Sequence, residues 1–447
     1  MTAKKKPATL SRVMFVTSRQ GEFYTEKELT MQFGAPKALW PLVATKELID
    51  DCLDATEAMD VAPEIAITLE PDSVTVADNG PGLQASTITK ARDYNVRVSD
   101  KQHYVAPSRG QLGNALKCIF PAAYVATGKK SVVEIIACGI HHRIEADINR
   151  ITQEPRIQHL ETPLVQNGTT ITIHWPGIAC WTSQHYDSEM YQGSVEKVLP
   201  VLVRDFACLN PHASFTVAAA GKKWAFKASD PGWRKWRASD PTSAHWYRKS
   251  DMGDQIAAQI AHEEKVRQET ASLPRKTLRD FVAEFDGLSR PQYRQRVLQQ
   301  AGLAGKYVSD LKADVDGEME HVRRLLAAMQ SVSKPVKPQR LGVIGRDHMQ
   351  AALAAYGANS GIEYSRQAGF GDDGLPYVVE VGFGVTRRGI PRKLLCGLNH
   401  SIVFKVPSST LYSTLRDCWI GPSEPVVIVV HQSHPHFKFT GHGKGSV

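Results

Sequence analysis

One stretch constrains the fold more than any other: "ATKELIDDCLDATEA", residues 44–58. Between 38 and 58, Leu39, Leu42, Val43, Ile49 and Leu53 recur at helical spacing and ask for a core. The same segment carries Glu47, Asp51 and Asp54, four and three residues apart. On a helix these fall within about 60° of one another and share a face. Like charges stacked in this way repel by roughly a few tenths of a kcal/mol per pair. A divalent cation, or a water in need of a base, would offset that cost. The plain alternative is a solvated acidic face.

The next segment fixes the element beside that helix. "EIAITLEPDSVTVADNGPG", residues 64–82, holds two alternating runs, Ile65/Ile67/Leu69 and Val74/Val76, joined at Pro71-Asp72. This predicts a β-hairpin that ends abruptly at Asp78-Asn79-Gly80-Pro81-Gly82. Residues 83–109 are polar with weak periodicity and read as a loop. "GQLGNALKCIF", 110–120, begins with glycines and turns helical, and "SVVEIIACG", "HHRIEADI" and "GTTITIHW" read as strands. Residues 1–21 read as a flexible N-terminal arm, and 22–220 are expected to form an α+β layer sandwich.

Beyond it the character changes. Residues 222–249 hold eight lysines and arginines against two aspartates, interleaved with four tryptophans. Such a stretch suits a nucleic-acid surface, where cations neutralise phosphate and indoles stack on bases. It equally suits a folded insert whose tryptophans are core. A basic and helix-rich region is expected over 221–332, a Pro/Lys linker over 333–342, and a second α+β unit over 343–447 with strands at "YVVEVGFGV" and "EPVVIVVHQ".

The 447-residue chain is mildly basic, at +8, which fits an anionic partner without requiring one. Its seven cysteines have no Cys-x-x-Cys spacing and read as free thiols in a reducing compartment, with no zinc site expected. No run of 18 apolar residues marks a membrane span, and the N-terminus lacks the apolar core of a secretory signal.

Taken in order, the motifs have a shared use. Asp78 at a strand end can accept a hydrogen bond from an exocyclic amine such as that of adenine. Gly80 and Gly82 let backbone approach a flat ligand. Gly110 and Gly113 ahead of a helix expose N–H groups to phosphates. Gly168-Thr169 opens a later strand. A carboxylate on the facing helix can orient a water for attack on a γ-phosphoryl group, and a second can hold Mg²⁺.

This set resembles the four nucleotide-binding motifs of the GHKL ATPases, in "KELIDDCLDATEA", "DNGPGL", "RGQLGNALK" and "GTTITI". Within that superfamily it is most similar to the B subunits of topoisomerase VI, a type IIB topoisomerase, over roughly 20–220. More loosely, "EFDGLSRPQYRQRVLQQAGL" is similar to their helix–two-turn–helix (H2TH) insert. The strands after 343 are similar to their transducer, and "HPHFKFTGHGKGSV" to the loop carrying a switch lysine.

The resemblance implies an α+β fold: a GHKL (Bergerat) sandwich, an H2TH-like insert and a transducer-like C-terminal unit. It implies a Mg²⁺-dependent ATPase in which Glu47 is the general base and Asp51 stands at the family's Mg²⁺-binding Asn. Asp54 would lie in the same nucleotide-binding set. Asp78 and Thr169 would hold the adenine, with Gly80 and Gly82 lining the base pocket. Gly110, Gln111, Leu112, Gly113, Asn114 and the backbone to Lys117 would hold the phosphates. Lys444 would reach the γ-phosphate. Expected partners are duplex DNA, a second copy joined on ATP binding, and an A-type subunit with a Toprim domain and a cleavage tyrosine. The expected location is the cytoplasm, at the nucleoid. A stand-alone nucleotide-gated DNA clamp without strand passage is the alternative. The chain departs from the family in three places. Asp51 replaces Asn and adds negative charge near Glu47, Ala115 stands at a frequent third glycine, and the family's long docking helix does not follow Lys444. Histidines 431, 434, 436 and 442 are irregularly spaced and read as part of the lysine loop rather than a metal site.

Overall fold

Ile65, Ile67 and Leu69 alternate with polar residues, so a strand here buries one face only. In the computed structural model β1 (Glu64–Glu70) and β2 (Ser73–Asp78) pair antiparallel, from Glu70↔Ser73 to Ile65↔Asp78. The structure describes residues 19–94, 104–109, 114–149, 151–152, 154–183, 191–237, 239–269, 274–404 and 409–437. The hairpin is the centre of an eight-stranded sheet. Its other strands are β3 (Ser131–Ala137), β4 (Ile140–Ile148), β5 (Pro155–Pro163), β6 (Thr169–His174), β7 (Ser214–Ala219) and β8 (Lys222–Phe226). The order is β5-β4-β3-β6-β2-β1-β7-β8, and only β1 and β7 run parallel. The expected α+β class is therefore what the chain adopts.

Five helices cover the apolar face: α1 (Glu26–Phe33), α2 (Trp40–Ala58), α3 (Ala85–Ala91), α4 (Ala115–Thr127) and α5 (Val195–Leu209). α2 lies against β2, α4 against β3 and β4, and α5 against β7. α2 starts with Pro41 in its first turn, where a missing N–H costs nothing. It buries Leu42, Val43, Ile49 and Leu53. Each such side chain contributes roughly 1.5–3 kcal/mol, so burial outweighs the acidic repulsion several-fold. Two elements differ from the sequence reading. The supposed loop 83–109 contains α3, which buries only Ile88 and Ala91 and is too short to display a period. β5 leaves no mark in the sequence because an edge strand exposed on most of its length has no apolar alternation.

The basic, Trp-rich stretch folds inward. Trp233, Trp236 and Trp246 are buried, and Trp236 meets Trp246 edge-on at 4.7 Å. These rings are core, so they are not a stacking platform for bases. With α6 (Lys249–Glu269), α7 (Leu278–Ala283), α8 (Pro291–Ala301), α9 (Lys312–Val315) and α10 (Glu320–Val332), this region surrounds its own hydrophobic cluster.

α11 (Arg346–Ala355) leads into a second sheet. Its strands are β9 (Ser360–Phe370), β10 (Pro376–Val385), β11 (Lys393–Leu398), β12 (Ser401–Ile402) and β13 (Val426–Ser433), with α12 (Ser409–Asp417) between the last two. Their order is β12-β11-β13-β10-β9. Leu395, Ile402, Phe404, Val427 and Val429 join the core of the first sheet, so the two sheets share one apolar interior. Among the described residues no helix is long and apolar enough to cross a membrane.

Candidate functional site

Asp78 ends β2 beside the start of β6, because Ala77 pairs with Thr170. Its Oδ1 accepts from the Gly80 N–H at 2.7 Å and the Thr169 N–H at 3.2 Å. Two backbone donors on one oxygen fix the carboxylate plane. The neighbouring chain must come close. A Cβ on Gly168 (φ +74°) would lie 1.9 Å from the Asp78 carbonyl oxygen, and one on Gly80 would lie 2.9 Å from Oδ1. Gly82, also at positive φ, packs against Cys138, to whose sulfur Gln84 donates. Below this turn lie Thr56 and Ala55 of α2. The Cys52 thiol is pushed up by burial and by the Asp78 carboxylate, and stays protonated.

α2 exposes one narrow stripe. Glu47 is partly exposed and Asp51 exposed along an otherwise buried helix. Glu47 faces α4, since burial and then its charge push up the Cys118 thiol there. From Thr56 under the Asp78 turn to Glu47 is nine residues, about 13 Å of helix. α2 thus joins a fixed acceptor at one end to two carboxylates at the other, with the start of α4 beside them. Asn114, at the N-cap of α4, donates to Gln32 at 3.3 Å. The Lys117 ammonium is turned inward to the Asp93 carbonyl, and burial lowers its pKa.

Asp54, the third acid of the sequence-derived set, has a cation beside it. Its Oδ1 accepts from Arg109 at 2.9 Å, so it belongs to a buried ion cluster. Arg109 also grips Glu57 with two bonds of 2.7 and 2.8 Å and donates to Asn210 at 2.6 Å. Lys235 lies 2.9 Å from Glu57. Burial opposes the Glu57 charge, but Arg109 and Lys235 hold its carboxyl well below the usual range. Burial lowers His212, which is therefore neutral and donates from Nε2 to Glu57 at 2.9 Å. Lys46 bridges Asp50 and Glu47, each at 2.8 Å. Burial would lower this ammonium; Asp50 and then Glu47 outweigh it and raise it. Three buried or nearly buried acids, Asp50, Asp54 and Glu57, thus meet three cations, Lys46, Arg109 and Lys235.

The sequence reading singles out none of Lys46, Asp50, Glu57 or Arg109. One signal was available: acids on the apolar side of a buried helix demand buried cations. Arg109 has a second attachment. Its Nε donates to the His400 carbonyl at 3.4 Å, as does Asn210 at 3.0 Å. Asn399 and His400 form the β11–β12 turn, both at positive φ. The Asn399 side chain donates to the Ser108 carbonyl at 3.4 Å and to that of His434 at 3.0 Å, and accepts from the His434 N–H at 2.9 Å. The second sheet thereby holds the segment leading into residue 110. Gly110, Gln111, Leu112, Gly113 and Lys444 lie outside the described residues.

No protein-family model matches the chain. Curated relatives do match. The B subunit of type 2 DNA topoisomerase 6 from Archaeoglobus fulgidus is 24% identical over 455 aligned positions, spanning 95% of this chain and 69% of that protein. The chain is similar to topoisomerase 6 B subunits. The counterpart from Methanosarcina barkeri is 31% identical over 206 positions, 44% of this chain and 31% of the relative's length. Among solved structures, the ATPase domain of Thermus thermophilus gyrase B superposes loosely, with a TM-score of 0.29 and 15% identity over 89% of this chain and 76% of that one.

Proposed function

We propose that this chain is the ATP-hydrolysing subunit of a type IIB topoisomerase-like assembly. The observation that carries the reading is the Asp78 carboxylate, fixed by the Gly80 and Thr169 amides at one end of α2, with Glu47 partly exposed and Asp51 exposed at the other. The residues fit a bound purine nucleotide. Asp78 offers a fixed acceptor to an exocyclic amine, the space at Gly80 and Gly168 is closed to any Cβ, and Asp51 offers a hard oxygen for Mg²⁺. Gly82 would line the base and Thr169 would flank the acceptor. Gly110 to Gly113 and Asn114 would receive phosphates, and Lys444 would complete the site from the second unit. Mg²⁺, when bound, neutralises charge on the phosphates. Glu47 orients a water and takes its proton.

Duplex DNA, a second copy of the chain and a separate DNA-cleaving subunit are proposed as partners from the likeness to topoisomerase 6 B subunits. The test is Mg²⁺-dependent ATP hydrolysis by the purified chain, with and without duplex DNA, beside Glu47→Ala. Expected is turnover that Glu47→Ala reduces by about 100-fold or more, and that DNA stimulates. Turnover indifferent to Glu47→Ala would overturn the assignment of the base.

A further inference from the structure

The far edge of the first sheet carries a cluster that nucleotide chemistry does not use. The β4–β5 register sets His142 directly opposite Glu161, and His159 opposite Ile144. Residues two apart on a strand share a face, so all three side chains meet. His142 Nδ1 lies 3.0 Å from His159 Nε2 and 3.3 Å from Glu161 Oε1. That oxygen lies 3.5 Å from His159 Nε2, which closes the triangle.

His142 Nδ1 is the vertex of both shorter edges, so its one N–H would have to be shared between His159 and Glu161, and the third edge would stay without a hydrogen. A metal uses all three. Tetrahedral Zn²⁺, with bonds near 2.0–2.2 Å, keeps its donors about 3.3 Å apart, whereas an octahedral ion at similar bond lengths keeps them about 3.0 Å apart. The three edges, at 3.0, 3.3 and 3.5 Å, straddle the tetrahedral value. We propose that His142, His159 and Glu161 form a zinc site that fastens the edge strand β5 to β4. Its fourth position faces water beside Glu161, whose side chain is 48% exposed.

Two further observations set the character of the site. The β4–β5 pairing brings the three donors to one face, with both rings largely shielded from water and Glu161 at the rim. The remote Nε2 of His142 is buried without a hydrogen-bond partner. Ligands lacking that outer support lose roughly 10–100-fold in affinity, so the site should be weaker than a fully supported zinc centre. β5 is an outermost strand with little buried surface of its own, and a metal across the last pair is the kind of staple such an edge lacks.

The test uses the untagged full chain, with Zn²⁺ titrated against a chromophoric chelator and Co²⁺ as a spectroscopic stand-in. Wild type should bind one equivalent, show the intense visible bands of tetrahedral Co²⁺, and melt a few degrees higher with Zn²⁺ than with EDTA. The double variant His159→Gln/Glu161→Gln should lose the Co²⁺ bands and the zinc-induced shift, while melting in EDTA as wild type does. Glu161→Gln alone, at a half-exposed position, should weaken binding by about tenfold or more, the scale of losing one ligand. The variant His434→Gln/His436→Gln should keep all the wild-type responses. Equal zinc affinity in wild type and the double variant would overturn the proposal. So would wild-type binding weaker than about 100 μM, too weak to keep the ion in place, or loss of the signal in His434→Gln/His436→Gln.

Discussion

At the scale of single residues, Asp78 gives the sharpest test of the nucleotide reading. Its Oδ1 is already held by the Gly80 and Thr169 amides. An asparagine can keep that oxygen in place and would differ only at the other atom of the group. Asp78→Asn therefore changes a fixed acceptor into a donor, with little change in shape. A bound adenine amine would then face an N–H, leaving a buried donor without a partner, which costs about 1–3 kcal/mol. We expect Asp78→Asn to weaken ATP binding by about 10- to 100-fold while its thermal melt stays within a degree or two of wild type. Unchanged affinity by calorimetry would remove Asp78 from the site. The motif around it is legible in sequence because its chemistry is local: an aspartate, a glycine turn and a strand end lie within five residues of one another.

At the scale of the element, α2 carries two acidic stripes, and sequence distinguishes only one. Spacing groups Glu47, Asp51 and Asp54, yet Asp50, Asp54 and Glu57 have the same four-and-three spacing. The second set is buried or nearly so, and its principal cation, Arg109, is supplied from 52 residues away in the case of Glu57. Helical periodicity reports which residues share a face. It does not report what a distant loop brings to that face, so spacing leaves out the Arg109 that pairs with Asp54. β5 and α3 escape for a related reason, because neither buries enough to leave a pattern. The buried stripe has a measurable consequence. Arg109→Met leaves Glu57 and Asp54 without their main counter-ion, and we expect a loss of about 3–5 kcal/mol in urea unfolding. The pH dependence follows from Glu57. Its native pKa is depressed, so its stabilisation is fully present above the unfolded value near 4.5 and is lost as pH falls through the native one. Wild type should therefore lose stability more steeply than Glu57→Gln below about pH 4.5. Parallel acid limbs in the two proteins would show that the cluster holds Glu57 no better than water does.

At the scale of the molecule, the two sheets meet at a turn rather than only along an apolar seam. Asn399 and His400 touch Ser108 and Arg109 on one side and His434 on the other. Ser108 and Arg109 lead directly into Gly110, and His434 leads toward Lys444. A ligand bound at the 110–113 segment would therefore act on the end of β13 through side chains that already bridge Ser108 and His434. Coupling of this kind requires that both ends bias the same element. We expect a non-hydrolysable ATP analogue to slow amide hydrogen exchange in residues 399–404 and 426–437, as well as around Asp78 and Glu47. Asn399→Gly isolates the bridge. Glycine accepts the φ of +49° without strain, and the substitution removes the bonds to Ser108 and His434. In that variant the analogue should bind within about threefold of wild type, a difference under 1 kcal/mol, and slow exchange near Asp78 and Glu47, with the second sheet left at its unliganded rate. Equal protection of the second sheet in both proteins would show that the turn is a packing contact and that any coupling runs through the shared core.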